Sequence, residues 1–208
     1  MVAGLVLCNV MANAGDGLVA LQTAEPSCPD DSANVYVDCG NGTVTDNRTG
    51  LVWLKDASCF DPMDFALAQL TAAGLSDLED SVDQALGCVS GSCDCNLSDG
   101  SSPGDWRLPT FAEWQEMVTA AVSLGCTLGA SPTITSDNGL GCWNENDLLC
   151  QAAGTSCSFT GVEAAGYWSA TVDVTNPANA WDVSLVVGLV YLSPKDTMNY
   201  IWPVRSGQ

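Results

Sequence analysis

The middle of the chain shows the clearest periodic pattern of hydrophobic positions. Apolar side chains recur at intervals of three and four residues, which places Trp114, Met117, Val118, Ala121 and Val122 on one face of a helix. The pattern therefore predicts an amphipathic helix that packs on a core.

The flanking residues indicate where this helix begins and ends. Thr110 is a favourable N-cap, and Glu113 follows three residues later, as in a capping box. Pro109 disfavours helical conformation in the residue before it, and Gly125 is a natural end. We expect the chain to arrive extended and to turn sharply at Thr110.

Arg107 is one of only five basic residues, and it stands between two large apolar side chains. A planar guanidinium in that position is expected to bind backbone carbonyls or a carboxylate at the edge of the core. We interpret this stretch as architecture and not as an active site. Its structural residues are Trp106, Arg107, Thr110, Glu113 and Trp114.

A second helix is predicted upstream. Asp61 would cap it and Pro62 would occupy its first position, where the missing amide proton costs nothing. The helix would continue through residues 65–73 and end at Gly74.

Short apolar segments before the helices predict strands joined by tight turns. Strand character begins at residues 35–37, and an Asn41-Gly42 turn leads to a strand over residues 43–45. A second turn over residues 46–50 leads to another strand over residues 51–54. We interpret the Asp and Asn residues of that second turn as turn-forming. A structural calcium ion is the alternative, although the pattern does not follow the EF-hand template.

The last forty residues are predicted to be β-structure. Trp181, Val183 and Leu185 alternate with the polar Asp182 and Ser184, so this strand should have one buried face. Further strands are predicted over residues 167–171, 189–192 and 200–205, with the last one closing the sheet.

The chain is long enough for one domain with insertions, and we place this domain over residues 35–208. The insertions cover about residues 75–104 and 126–166. Trp143 and Phe159 lie in the second insertion, and we interpret them as a local mini-core in preference to exposed ligand contacts. Any ligand surface is expected on these insertions, because binding residues concentrate on loops held by a rigid scaffold.

Residues 15–34 contain many turn-forming residues and are interpreted as an extended arm. Residues 1–14 are apolar and end in Ala12-Asn13-Ala14, which resembles a signal-peptidase site. Two interpretations stay open for this segment. It is either a signal removed on export or a β-strand donated to a neighbouring subunit.

Eleven cysteines suggest an oxidising compartment. Cys8 lies in the apolar N-terminal segment, and the other ten form an even set compatible with five disulfides. A metal cluster is the alternative, but no pair has the spacing of a zinc ribbon. The ten are Cys28, Cys39, Cys59, Cys88, Cys93, Cys95, Cys126, Cys142, Cys150 and Cys157.

The charge balance restricts the partners. With 25 acidic against 5 basic residues, the net charge of −20 argues against nucleic acid, anionic membrane surfaces and sulfated polysaccharide. The absence of histidine removes histidine-dependent nucleophiles, general bases and metal sites. No apolar run reaches the roughly 18–20 residues of a membrane span.

Five ordered motifs carry a family resemblance. They are Asn41-Gly-Thr-Val-Thr-Asp-Asn-Arg-Thr-Gly-Leu-Val-Trp53, Asp105-Trp-Arg-Leu-Pro-Thr-Phe-Ala-Glu-Trp114, Tyr167-Trp-Ser-Ala170, Ala180-Trp-Asp-Val183 and Trp202-Pro-Val-Arg205. The set resembles the C-terminal domain family of Legionella collagen-like protein, a family of bacterial exported domains, over roughly residues 38–208. The resemblance implies an α+β, C-type-lectin-like fold, with two main helices packed on a small antiparallel sheet and long disulfide-stapled loops.

Three functions follow as hypotheses. The first is an exported, extracellular or cell-surface domain without catalytic activity or cofactor, which acts in adhesion or binds a surface ligand. The alternative is a self-assembling subunit of an extracellular filament, a homopolymer that could form by N-terminal strand donation. The third is an enzyme similar to the formylglycine-generating family. That family holds copper with a cysteine pair late in the chain, and here no cysteine follows Cys157.

Overall fold

The computed structural model describes residues 28–77, 95–126, 132–144 and 157–207. The predictions for residues 1–14 and for most of the arm lie outside these ranges, as do Cys8, Cys88, Cys93 and Cys150. The described chain has an α+β architecture with two antiparallel sheets. Its elements are β1 (Tyr36–Asp38), β2 (Thr43–Asp46), β3 (Leu51–Leu54), α1 (Phe65–Gly74), α2 (Phe111–Ser123), β4 (Gly166–Val172), β5 (Asn179–Ser184), β6 (Leu189–Pro194) and β7 (Val204–Ser206).

The first sheet has the strand order β1-β2-β3-β7. Its two hairpins are local and match the predicted turns. Gly42 has a φ of +83°, and a Cβ there would overlap the backbone carbonyl of Asn96, so this turn requires glycine. Strand β7 pairs with β3, with Val204 opposite Trp53. The chain therefore ends beside its N-terminal hairpins.

The second sheet has the order β4-β5-β6 and is formed by the remaining C-terminal strands. The expectation of one small sheet is thus corrected to two. A second correction concerns β5, where Asp182 was predicted on a solvated face but is only 6% exposed. It lies opposite Trp168, and the segment around Met63 covers this face, since the Trp168 indole donates to the Met63 carbonyl at 2.9 Å.

Helix α1 is capped by Asp64, whose carboxylate accepts from the Leu67 amide at 2.9 Å. The predicted cap, Asp61, is wrong. Residue Met63 exchanges backbone hydrogen bonds with Asn199, and this pairing holds the chain extended up to the true cap. No helix in the described residues is long and apolar enough to cross a membrane.

Helix α2 begins and ends where its sequence signals indicate. Thr110 is the N-cap, and Gly125 follows the helix with a φ of +81°. Four of the five predicted face residues are buried, but Val122 is 40% exposed. The apolar stripe therefore extends beyond the core at the C-terminal end of the helix.

The core lies between α2 and the two sheets. The Trp114 ring contacts Trp53 of the first sheet at 5.2 Å and Tyr167 of the second at 5.8 Å, measured between centroids. Trp143 and Phe159 belong to this same core and not to a local mini-core, and Phe159 packs edge-on against Trp202. Neither side chain is available as a surface contact.

Candidate functional site

The loop before α2 is held by a two-pronged ion pair. The Arg107 guanidinium donates to both Glu113 carboxylate oxygens, at 2.8 and 2.7 Å, and also to the Leu108 carbonyl at 3.1 Å. The same carboxylate accepts from the Thr110 amide at 2.7 Å, while the Thr110 hydroxyl accepts from the Glu113 amide. Arg107 thus binds both kinds of partner expected of it, a carbonyl and a carboxylate.

This arrangement fixes the charge state of the cap. Burial alone would raise the pKa of Glu113, but the hydrogen bonds from Arg107 and Thr110 outweigh it and hold that pKa below its usual value. The guanidinium and carboxylate therefore stay charged and satisfy each other. Both groups hold the start of the helix in position. Neither is therefore available as an acid or base.

Trp106 takes part in a second polar network that the sequence did not reveal. Its indole donates to the Ser101 hydroxyl at 2.9 Å, and this hydroxyl donates to Asp99 at 2.6 Å. Asp99 is fully buried and accepts from Arg205 at 3.0 Å. The network ties the described end of the first insertion to β7.

The disulfides are distributed around the first sheet and the insertions. Cys28–Cys39 closes the arm onto β1, Cys59–Cys95 joins the segment after β3 to the first insertion, and Cys126–Cys142 bridges the second insertion. Cys157 is also disulfide-bonded. All seven described cysteines of the predicted set are therefore oxidised.

The turn over residues 46–50 is held by side-chain contacts. The Asp46 carboxylate, 1% exposed, accepts from the Arg48 amide and guanidinium, and Arg48 also donates to the Tyr36 hydroxyl at 2.7 Å. Burial raises the pKa of Tyr36 to about 12, with Arg48 opposing the shift. The hydroxyl is therefore neutral at physiological pH.

A different set of charged groups reaches the surface where the second insertion meets the first sheet. We call Asp38, Lys55, Asp137 and Ser158 the Lys55 cluster. The Lys55 ammonium lies 2.5 Å from Asp38, and both side chains remain about a quarter exposed. Asp137 accepts from the Ser158 amide and hydroxyl at 2.9 and 3.0 Å through Oδ2.

One oxygen of the Lys55 cluster has no partner. Oδ1 of Asp137 is buried and accepts no hydrogen bond in the described structure. Burial raises the pKa of Asp137 and nearby Asp38 adds to the shift, while hydrogen bonds from Ser158 and the charge of Lys55 oppose it. A buried acceptor without a donor is costly, so Asp137 adds a poorly compensated negative charge next to the exposed ion pair.

Backbone contacts make the cluster rigid. The Asp137 carbonyl accepts from the Val35 and Tyr36 amides at 2.6 and 3.2 Å, which fixes the second insertion along β1. Thr160 donates to the Lys55 carbonyl at 3.0 Å and accepts from Ala57 at 2.9 Å. The carboxylates therefore have a defined geometry on the scaffold.

The cluster can bind by charge and hydrogen bonding. Two carboxylates against one ammonium favour a ligand with hydroxyl, amine or cationic groups. Within the described segments, no three cysteine or acidic side chains converge as a metal site requires. The structural calcium ion stays a prediction, as does the absence of catalysis.

Comparison with known proteins places the chain in a family. The family model for the Lcl C-terminal domain matches residues 42–205, which is most of the chain. A search of curated proteins gave no match.

Proposed function

Because the chain belongs to the Lcl C-terminal domain family, we propose that it is an exported, surface-associated domain that binds a ligand without catalysis. The Lys55 cluster is the proposed contact surface. The observation that carries this assignment is the partly exposed Asp38–Lys55 ion pair, which lies beside the buried carboxylate of Asp137 on a loop fixed to β1.

The location follows from the chemistry of the cysteines. Seven described cysteines are oxidised, and disulfides persist in the periplasm, at cell surfaces and in the medium. The family resemblance, which implies an exported domain, supports the same location. A surface role in adhesion is the function we favour within this setting.

The ligand should be neutral or cationic. The net charge of −20 would repel sulfated or phosphorylated polymers, and the local charge of the Lys55 cluster has the same sign. The Lys55 cluster contains no aromatic side chain for stacking on a sugar, and Trp53, Trp106, Trp114, Trp168 and Trp202 are all fully buried. Recognition would therefore depend on hydrogen bonds from ligand hydroxyl or amino groups.

A glycan array that includes neutral, amino and sulfated sugars tests this proposal, run once with calcium and once with a chelator. We expect binding to neutral or amino sugars and none to sulfated ones. Asp38→Asn should weaken that binding about 10-fold or more, the cost of losing a charged hydrogen bond. Asp30→Asn, an exposed site with the same change of charge, is the control. Binding that Asp38→Asn leaves intact would place the ligand elsewhere.

Self-assembly remains the second candidate function. Strand donation by residues 1–14 lies outside the described residues. One feature of the second sheet favours association of identical subunits by another route, which does not involve that segment.

A further inference from the structure

Exposed apolar side chains are concentrated around strand β6. Six of the ten large hydrophobic residues that are exposed in the described chain lie on β6, on the turn before it or at the C-terminal end of α2. A Cβ at Gly188 would lie 2.6 Å from the Val122 side chain, so the turn and the helix end are in contact. The six are Val122, Leu124, Val186, Leu189, Tyr191 and Leu192.

The other sheet edges are covered by segments of the same chain. Asp137 accepts from two amides at the edge of β1, and Arg107 exchanges two backbone hydrogen bonds with Val204 of β7. The outer edge of β4 is covered by Pro109, which accepts from Ala170, and by Tyr200, which pairs with residues of β4. Only β6 ends its sheet without a described neighbour on its outer side.

The backbone of β6 has a regular set of outward groups that no described segment binds. The Lys195 amide donates to the Ala178 carbonyl at 3.0 Å, and hydrogen-bonded pairs alternate along an antiparallel ladder. Tyr191 therefore points its backbone groups toward β5, whereas Val190 and Leu192 point theirs away. Two amides and two carbonyls at this edge are ready to pair with another strand.

The distribution of charged residues indicates which partner can approach β6. Residues 117–136 and 183–194 contain no Asp, Glu, Lys or Arg, and together they supply the end of α2 and all of β6. In a chain of net charge −20, two copies would repel each other across most surfaces. Here they can approach without placing like charges in contact.

We propose that β6 pairs antiparallel with β6 of a second copy, joining two three-stranded sheets into one of six strands. Val190 of each copy would pair with Leu192 of the other through four hydrogen bonds, and the two Tyr191 side chains would meet at the twofold axis. Each copy uses its open edge once, so the assembly closes as a dimer. The proposal is independent of ligand binding at the Lys55 cluster.

Sedimentation of the full chain over a wide concentration range tests the dimer. We expect a monomer–dimer equilibrium that tightens as salt is added, because salt screens the repulsion between two acidic subunits. Leu192→Lys should raise the dissociation constant about 100-fold or more, since it brings two charges into an apolar contact. Val174→Lys, at a site 94% exposed and outside β6, introduces the same charge and should leave the dimer unchanged.

A backbone variant separates strand pairing from simple apolar contact. Leu192→Pro removes the outward amide, while the hydrogen bonds to β5 are retained because they come from neighbouring positions. We expect it to weaken the dimer, and we expect the Val190 and Leu192 amides of the native chain to exchange more slowly with deuterium as concentration rises. Circular dichroism confirms that each variant is folded.

Three results would overturn the proposal. They are a monomer at every concentration, a dimer that neither Leu192 variant weakens, and a larger assembly that persists in both variants.

Discussion

The four-stranded sheet has both of its edges covered, whereas the three-stranded sheet has one edge without a neighbour among the described residues. The first sheet is enclosed by the two insertions and by the loop before α2, and disulfides hold the insertions in place. The second sheet relies on α2 and on the segment over residues 195–200, both of which leave β6 exposed. Segments of the same chain thus bind the edges of the first sheet. The outer edge of β6 is bound by no described segment and is suited to pairing with another chain.

The largest effect on stability is expected at Trp114, where one side chain contacts both sheets. Trp114 contacts rings from both sheets, and its indole donates to the Trp168 carbonyl at 3.1 Å. Trp114→Ala should lower the free energy of unfolding by about 3–5 kcal/mol, with both sheets lost together. Denaturant unfolding measures this, with the exposed Gln115→Ala on the same helix as control. Unchanged unfolding combined with lost binding would make Trp114 a ligand contact.

The disulfides should stabilise the covered sheet according to the length of chain they close. Cys59–Cys95 spans 36 residues and Cys126–Cys142 spans 16. Replacing both cysteines of a pair by serine should cost about 4 kcal/mol for the first and about 3 kcal/mol for the second in the chain-entropy account. Denaturant unfolding of the two double variants ranks them. A larger loss for Cys126–Cys142 would mean that local packing, and not loop length, dominates.

The elements with local signals could be predicted from the sequence. The capping box of α2 is formed by two residues three positions apart, and the hairpins depend on turns such as the one at Gly42. Helix α1 shows the limit of such signals. Asp61 was predicted as the cap, but a backbone pairing of Met63 with Asn199, far away in the chain, keeps the chain extended up to Asp64, which is the cap.

The remaining features depend on distant contacts that no local pattern encodes. Strand β7 joins β3 across most of the chain, which divides the predicted sheet into two. Asp99 and Arg205 meet across 106 positions in a buried ion pair. The Lys55 cluster likewise combines the ends of two strands with a loop of the second insertion, so only its location on an insertion could be predicted.

The cap of α2 should contribute less than the core or the disulfides. Thr110→Ala removes the two hydrogen bonds that the Thr110 hydroxyl makes with Glu113 and should cost about 1 kcal/mol. A second variant, Glu113→Gln, tests how the charge of this carboxylate contributes to the stability of the protein. The folded-state pKa of Glu113 is lowered, so its contribution is complete above the ordinary glutamate pKa and is lost as the pH falls through the folded value. The destabilisation caused by Glu113→Gln should therefore shrink in acid, as unfolding measured over a pH series would show.

The smallest effect is expected in the second sheet, at Asp182, and it should have the opposite dependence on pH. Burial raises the pKa of Asp182, with a hydrogen bond from Ser193 opposing the shift, and Oδ1 has no partner in the described structure. A raised folded-state pKa means that the native state binds the proton more readily than the unfolded state does. The native chain should gain stability from this group as the pH falls through the folded pKa toward the ordinary value for aspartate.

Asp182→Asn removes this titration without changing the size of the side chain. The variant should be more stable than the native chain near neutral pH, where the buried carboxylate is charged, and the advantage should disappear below the ordinary pKa of aspartate. Asp196→Asn, which removes the same charge from an exposed site, is the control. Denaturant unfolding at a series of pH values distinguishes the two. If Asp182→Asn destabilised the protein equally at every pH, the carboxylate would be stabilising β5 through its hydrogen bonds and not destabilising it through its charge.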